Sequence, residues 1–311
     1  MPNIFEYIQL DNPTWVWLKV FDTLDKGASY ALVALGLTLI FGTLGLVNFA
    51  HGTLLMLGAF VAVITVAELG LPIYFAFLAV PLIMFVVGVS LERGLVRHLY
   101  HRPHTEQIMV TFGLAVILEE LIRWIFGANP IPISLPSWLE GSYLLFINFP
   151  EIFSPGVVYR KWALLSLIIS SLLVGGLFLF LQFTRFGMVI RAGMRDPETL
   201  TLLGINIRQR FMVVFGIGSV MAGYAGLMRS GFEGPSAALG FDFLVPAFVV
   251  VVIGGMGSLA GAVLAAFLLG FVQAFSSDIP GGLPSVIIYI TAVVVLLVRP
   301  RGFLGKRGLM E

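Results

Sequence analysis

The sequence of 311 residues contains no cysteine and few charged residues. Without cysteine the chain forms no disulfide, no thiolate metal site and no cysteine nucleophile. Charged residues make up 11% of the chain, whereas soluble domains carry about 25%, so we expect no soluble catalytic domain. The formal net charge of +1 gives no reason to expect a nucleic-acid partner.

The signatures of several enzyme and targeting classes are also missing. No G-x-x-x-x-G-K-[ST] phosphate-binding loop occurs, so we expect no ATPase site in this chain. No pair of nucleophile and base suggests an intramembrane enzyme, and His98, His101 and His104 follow no metal-ligand spacing. Residues 1–19 lack the basic start and the cleavage site of a signal peptide. We therefore expect a protein that is not an enzyme and that binds no metal or cofactor itself.

Long apolar runs are what the sequence has instead. Hydrophobic residues make up 59% of the chain, and runs long enough to cross a bilayer recur along it. This pattern predicts an all-α polytopic transmembrane helical bundle of about 8–10 membrane segments, in one domain over residues 1–311. The predicted segments are 26–46, 52–66, 73–91, 108–126, 162–183, 212–227, 243–253, 262–275 and 286–298. Residues 1–24 are expected to lie at the membrane interface, where tryptophans settle.

The first long run must contain a break. No Lys, Arg, Asp or Glu occurs from Gly27 to Ala67, and a bilayer core about 30 Å thick needs only about 20 helical residues. The glycines Gly45 and Gly52, together with Asn48 and His51, mark the position of the break. Lipid cannot satisfy non-helical backbone, so this break lies at a membrane face or against protein or a water-filled cavity. Asn48 and His51 either line a substrate path or cap the helix ends.

A second break is predicted near the end of the chain. The apolar run 243–253 is too short to span the membrane, and the glycine-rich stretch Gly254–Gly261 interrupts it. The spacing of Gly254 and Gly257 repeats that of Gly42 and Gly45. The sequence therefore predicts two hairpins that are broken by glycine. We include Gly45, Gly52, Gly254 and Gly257 with Asn48 and His51 as candidates for the substrate path.

Charge in the connecting segments predicts the orientation. The loop 92–106, the loop 185–210 and the tail 299–307 are rich in arginine, so we expect them in the cytoplasm together with the C-terminus. The proline-rich stretch 128–159 is then a long irregular outer loop. Glu119 and Arg123 lie four residues apart on one helix face. They either form an ion pair near the headgroups or line the entrance of a substrate path.

The loop 185–210 is predicted to carry a short exposed helix. Asp196 caps it, Pro197 suits its first turn, Glu198 follows where the helix dipole favours negative charge, and Gly204 ends it. Three leucines, at 200, 202 and 203, give this helix an apolar face. Such a face either docks on another protein or lies flat on the membrane. The residues that we assign to docking are Arg191, Asp196, Pro197, Glu198, Leu202 and Gly204.

The loop 185–210, and most of the chain with it, resembles a known family. The spacing from Glu198 to Gly204 is similar to that of the loop by which bacterial ABC importer permeases engage their ATPases, although Thr199 and Leu200 replace its Ala-Ala and its later Leu-Pro is absent. More broadly, residues 25–304 resemble the LivH-type permeases of branched-chain amino acid ABC importers. The segments that carry this resemblance are 30–36, Gly45-Leu-Val-Asn-Phe-Ala-His-Gly52, 191–205 and Gly254-Gly-Met-Gly-Ser258 with Gly261.

The resemblance implies a permease subunit of the bacterial inner membrane that acts by alternating access. It implies a heterodimer with a second, LivM-type permease, two cytoplasmic ATPase subunits that use ATP, and a periplasmic solute-binding protein. The motif does not separate branched-chain or hydrophobic amino acids from urea, short amides or aromatic acids. A stand-alone channel or secondary carrier is the rival class. Cation-coupled carriers usually place acidic residues mid-membrane, whereas here the acidic residues lie near the predicted segment ends.

Overall fold

The computed structural model describes residues 11–145, 157–193, 197–279 and 283–305. These residues form eleven α-helices and one two-stranded antiparallel sheet, so the predicted all-α fold is confirmed. A π-helical turn, Ile64–Glu68, extends α2, and a 3₁₀ turn, Val96–Leu99, follows α3. The elements are α1 Pro13–Leu44, α2 His51–Val63, α3 Ile73–Gly94, α4 His104–Phe126, β1 Ser142–Leu145, β2 Val157–Arg160, α5 Lys161–Phe183, α6 Arg185–Gly193, α7 Pro197–Leu202, α8 Ile207–Glu233, α9 Leu239–Gly254, α10 Leu259–Ser276 and α11 Leu283–Val298.

Six of these helices are long and apolar enough to cross a membrane. They are α1, α2 with its π-helical turn, α3, α5, α8 and α10. Two shorter apolar helices, Leu239–Gly254 and Val286–Val298, accompany them. The helix α4 has 23 residues and carries the predicted ion pair, because Arg123 bonds Glu119 and also lies 2.6 Å from Glu120.

The first helix begins earlier than the sequence predicted. Asn12 caps α1 through a hydrogen bond from the Trp15 backbone N–H, and the helix runs without interruption for 32 residues, about 48 Å. The prediction that residues 1–24 form a separate interfacial segment is wrong for the described part, since nothing between Pro13 and Gly27 breaks the helix. Lys19 is buried there, and its Nζ lies 2.6 Å from Asp278, just after α10.

Glycines set how closely the central helices approach. A Cβ added at Gly270 of α10 would lie 2.6 Å from the backbone nitrogen of Gly27 on α1, and one at Gly36 would lie 2.7 Å from the Gly218 carbonyl oxygen on α8. Gly58 on α2 meets Gly223 on α8 in the same way. Membrane helices pack through small residues because their backbones can then come close together. The helices α1 and α8 thus form the centre of the bundle.

The stretch 128–159 is more ordered than predicted. It contains β1 and most of β2, which pair antiparallel with Ser142 opposite Arg160; residues 146–156 lie outside the described residues. The Tyr159 hydroxyl donates to the Phe21 carbonyl oxygen on α1 at 3.1 Å, and burial raises the pKa of Tyr159. The Ile131 N–H donates to the Pro235 carbonyl oxygen at 3.1 Å. This segment is therefore attached to α1 and to the end of α8.

Candidate functional site

The first break lies between α1 and α2, as predicted, and is buried against protein. Gly45 ends α1 with a φ of 61°, a left-handed conformation that favours glycine. The chain then continues without helix to His51. The Val47 N–H donates to the Gln107 side chain at 3.3 Å, and the Phe49 N–H donates to the Thr111 hydroxyl at 3.0 Å. Polar side chains of α4 therefore satisfy backbone that lipid cannot satisfy.

Asn48 and His51 stabilise the break from within. Asn48 is 1% exposed and its side-chain oxygen accepts from the Ala50 N–H at 3.1 Å. His51 is fully buried, and its Nε2 lies 3.0 Å from the Val33 carbonyl oxygen on α1, so Nε2 carries the proton in this bond. Among the described residues, Asn48 Nδ2 and His51 Nδ1 have no hydrogen-bond partner. Asn48 therefore bonds within the turn before α2 and His51 bonds the interior of α1, so neither side chain caps a helix end as one interpretation predicted. Contact with a substrate stays a prediction.

Gly52 allows α2 to lie against α9. A Cβ at this position would lie 2.2 Å from the Gly240 carbonyl oxygen and 2.9 Å from the Leu244 Cβ. Backbone cannot move away from such a contact as a flexible side chain can. The first break is therefore held against α9, the helix that leads into the second break.

The second break lies between α9 and α10, and the predicted short helix is confirmed. The helix α9 has 16 residues, about 24 Å, which is less than the thickness of the bilayer core. Gly255 and Gly257 follow it with φ of 94° and 80°, and the Ser258 hydroxyl caps α10 by accepting from the Gly261 N–H. A Cβ at Gly254 would lie 2.5 Å from the Ala262 backbone nitrogen.

The C-terminal tail completes the second break. The sequence predicted the break but not this role of the tail. The Phe303 N–H donates to the Ile253 carbonyl oxygen at 2.8 Å, and the Leu304 N–H donates to the Gly254 carbonyl oxygen at 3.1 Å. Gly302, with a φ of 75°, turns the chain into this position. The tail thus satisfies carbonyl groups that the end of α9 leaves unpaired.

A polar cavity of about 500 Å³ lies beside the middle of α1. Lys26 of α1, Arg229 of α8 and Asp242 of α9 line it, and we call it the Lys26–Arg229 cavity. The sequence prediction placed Lys26 at the start of a segment and Arg229 beyond the end of one. It missed this cavity because α1 starts earlier and α8 continues to Glu233. Lys26 and Arg229 therefore lie within α1 and α8, not at or beyond the ends of helices as the predicted segments placed them.

Two further cavities follow along α1. The next has a volume of about 260 Å³ and joins the two breaks; its lining residues are all apolar, namely Leu37, Phe41, Leu46, Val47, Phe49, Phe248, Val251, Val252 and Met256. The third has about 880 Å³ and extends from Phe41 and Gly45 to Gly204 in the loop after α7. Along α1 the order is thus a charged cavity, an apolar cavity between the breaks, and a cleft that reaches the loop 185–210.

The predicted short helix of this loop is present as α7. Gly204 ends it with a φ of 78°, and the Ile205 N–H donates to the Leu200 carbonyl oxygen at 3.1 Å. Leu202 is 87% exposed and Leu203 is 70% exposed, while Leu200 packs inward. The predicted apolar face is therefore present on the surface.

The other predicted docking residues are only partly described. Pro197 begins α7, Asp196 lies outside the described residues, and the side chain of Glu198 is not described. Arg191 on α6 donates to the Leu181 carbonyl oxygen near the end of α5. This bond anchors the start of the loop to a membrane helix.

Comparisons with known proteins identify the family. A family model described as branched-chain amino acid transport system / permease component matches residues 20–297. The chain is 31% identical to the high-affinity branched-chain amino acid transport system permease protein BraD of Pseudomonas aeruginosa, over 98% of both chains. It is 29% identical to the corresponding protein LivH of Escherichia coli, over 93% of this chain and 95% of that relative. A probable LivH of Methanocaldococcus jannaschii is 26% identical over 88% of each chain. No solved structure matches. With a family model over most of its length and relatives that cover nearly all of it, the chain belongs to the family of permease components of branched-chain amino acid transport systems.

Proposed function

We propose that the chain is the membrane permease subunit of an ATP-driven importer for branched-chain or similar hydrophobic amino acids. The observation that carries this proposal is the similarity to BraD and LivH over nearly the whole chain. It is a multi-pass protein of the inner membrane, as the family and its six long apolar helices indicate. The arginine-rich loops support a cytoplasmic C-terminus.

The importer contains, in this proposal, a second LivM-type permease, two cytoplasmic ATPases that use ATP, and a periplasmic solute-binding protein. The exposed leucines of α7 support an ATPase docking surface, because 87% exposure of Leu202 leaves an apolar side chain that a partner would cover. In this proposal the other residues that the sequence assigns to docking, Arg191, Asp196, Pro197, Glu198 and Gly204, also contribute to contact with the ATPase. The permease itself holds neither ATP nor another cofactor.

Transport proceeds by alternating access. ATPase closure pushes α7, and the cleft between Gly204 and Gly45 changes its width as α7 moves towards or away from the first break. The two breaks move with respect to each other across the apolar cavity that they share. Apolar walls suit the side chain of a hydrophobic amino acid better than they suit urea or a short amide. Discontinuous helices of this kind surround the substrate path in many transporters.

Copurification from native membranes tests the assembly. Mass spectrometry of the complex in mild detergent should find a second permease, two ATPases and a binding protein, and the complex in liposomes should take up leucine only with ATP. Replacement of Glu198 or Gly204 by alanine should impair uptake and its coupling to ATP hydrolysis but not membrane insertion. A chain that purifies alone and moves solute without ATP would instead establish the channel or carrier.

A further inference from the structure

We infer that the Lys26–Arg229 cavity binds the carboxylate of a zwitterionic amino acid on its way through the permease. This inference rests on the proposed function, because it assigns a site in this chain to the transported solute. It is carried by the two cations that line one cavity near the middle of α1 and by the absence of a described carboxylate within ion-pair distance of either cation.

The guanidinium of Arg229 has a buried N–H group without a hydrogen-bond partner among the described residues. No carboxylate of the described residues lies within 4.0 Å of its guanidinium, and its buried Nε has no hydrogen-bond partner there. Its guanidinium carbon lies 4.9 Å from the ring centre of Phe232 and 5.5 Å from that of Phe243. Aromatic rings hold a guanidinium by its faces and leave its N–H groups at the edge for a planar anion. A carboxylate is such an anion and can accept two parallel hydrogen bonds.

The same cavity offers further donors. Lys26 lines it and forms no ion pair with a described residue. Ser29, one turn further along α1, is 2% exposed, and its hydroxyl has no partner among the described residues. A buried hydroxyl without a partner costs free energy, so a ligand oxygen that accepts from Ser29 would stabilise the site.

Asp242 and the apolar walls complete the match to an amino acid. The Asp242 carboxylate is exposed, lines the cavity and is not paired with a described cation, so it is available to an ammonium group. Phe243 and Ile288 supply apolar surface for a hydrophobic side chain. A volume of about 500 Å³ falls within the range of about 300–1,000 Å³ that is usual for small-molecule sites.

The charges around the cavity favour a zwitterion over an anion. Asp25 on α1 is buried and near Arg229, which acts on it electrostatically. Asp22, one turn before Lys26 on α1, acts on Lys26 in the same way. Carboxylates therefore lie near both cations, and a ligand that brings its own ammonium group adds no net charge. Closer to the start of α1, Lys19 pairs with Asp278, which follows α10.

The test is ligand binding to the assembled complex without its binding protein. The complex is placed in nanodiscs, and saturation-transfer NMR measures the binding of leucine, isocaproate, which lacks the ammonium group, and isoamylamine, which lacks the carboxylate. Leucine and isocaproate should bind to the wild type. Isoamylamine should bind at least about ten-fold more weakly, because charge-assisted hydrogen bonds to the carboxylate are absent.

Variants locate the site. Arg229→Gln and Lys26→Gln should weaken leucine binding about ten-fold or more, and Arg229→Lys should restore only part of it, since lysine lacks the planar fork. Arg123→Gln is the matched control, because Arg123 pairs with Glu119 and Glu120 and does not line the cavity. Assembly with the ATPases and basal ATP hydrolysis report whether each variant is folded.

Three results would overturn the inference. The first is unchanged leucine binding by Arg229→Gln. The second is a wild-type complex that takes up leucine yet shows no leucine binding, which would leave the proposed function intact. The third is an anionic lipid that copurifies with the wild type, is lost in Arg229→Gln and is not displaced by leucine. Arg229-dependent binding of leucine to a complete complex without uptake would instead contradict the proposed function and keep the carboxylate site.

Discussion

The His51 ring on α2 lies against the middle of α1, with its Nε2 3.0 Å from the Val33 carbonyl oxygen. The contact crosses from the start of one helix to the interior of another, and both groups are buried. A hydrogen bond in such surroundings fixes the position of the first break relative to the central helix. His51 therefore has a structural role that can be separated from any role in transport.

Replacement of His51 by alanine should destabilise the permease. The change removes the bond to Val33 and leaves a space beneath Gly36, so we expect a loss of about 2–4 kcal/mol in the free energy of unfolding. Thermal unfolding of the purified complex measures it. His98, which is exposed, supplies the control His98→Ala, with no change expected. An unchanged melting temperature together with lost uptake would show that His51 acts on the solute instead.

Gly52→Ala should be among the most harmful single-methyl changes in the chain. Its Cβ would lie 2.2 Å from the Gly240 carbonyl oxygen, and crowding of this kind costs about 1–3 kcal/mol or more. The measurement is the thermal stability and yield of the variant. Gly113→Ala on α4 is the control, because nothing lies within 4 Å of a Cβ there, and alanine favours helix by about 1 kcal/mol. Equal stability of the two variants would contradict the close α2–α9 contact.

Polar substitution of Leu202, the last residue of α7, or of Leu203, which follows it, should uncouple transport from ATP hydrolysis without unfolding the protein. Leu202→Ser and Leu203→Ser remove apolar surface that is already exposed. The free energy of unfolding of the isolated permease should therefore stay within about 0.5 kcal/mol of the wild-type value. Uptake and copurification of the ATPases should fall about ten-fold. Leu69→Ser changes a leucine that is 64% exposed in the turn between α2 and α3, and it should leave both unaffected. Retention of the ATPases by Leu202→Ser would count against the docking surface.

Asp278 should make stability depend on acid pH. Partial burial alone would raise the pKa of this carboxyl, but hydrogen bonds from Lys19 at 2.6 Å and Trp15 at 2.7 Å outweigh burial and lower the pKa below 3.8. A lowered folded pKa means that the stabilisation is present above pH 4 and is lost as pH falls through the folded pKa. The gap in melting temperature between the wild type and Asp278→Asn should be widest near pH 6 and narrow towards pH 3.

The exposed carboxylate of Asp11 provides the comparison for that experiment. It forms no ion pair with a described residue, so Asp11→Asn should differ little from the wild type at either pH. A gap for Asp278→Asn that persists at pH 3 would mean that the carboxylate charge is not what joins α1 to the end of α10.

Local features of the sequence were enough to predict where several helices end. Gly45 and Gly204 end their helices because each adopts a left-handed conformation that other residues adopt only with strain. The short α9 was predictable from the length of its apolar run. The position of α7 and its apolar face followed from the proline that begins it and the leucines that it carries.

Contacts between residues that are distant in the sequence explain which features of the fold the sequence did not predict. Residues 1–24 were predicted to lie at the membrane interface, yet Lys19 is part of α1, because Asp278, some 260 residues further along, pairs with it. Gln107 and Thr111 looked like ordinary polar residues in α4, and only the fold brings them to the backbone of the first break. The Lys26–Arg229 cavity needs residues from several helices, so no local pattern could reveal it.

The strap formed by Phe303 and Leu304 has a consequence for biosynthesis. Helices of a polytopic protein enter the bilayer in the order in which the ribosome makes them, and α9 is made well before the residues that satisfy its last carbonyl groups. Lys19, in the first helix, likewise has no ion-pair partner from Asp278 until that residue is made. A nascent chain therefore holds an unpaired cation in the membrane until Asp278 is made, and unpaired backbone until Phe303 and Leu304 are made. A truncation after Val298 would leave every helix of the described residues in place and still deliver the protein to membrane quality control.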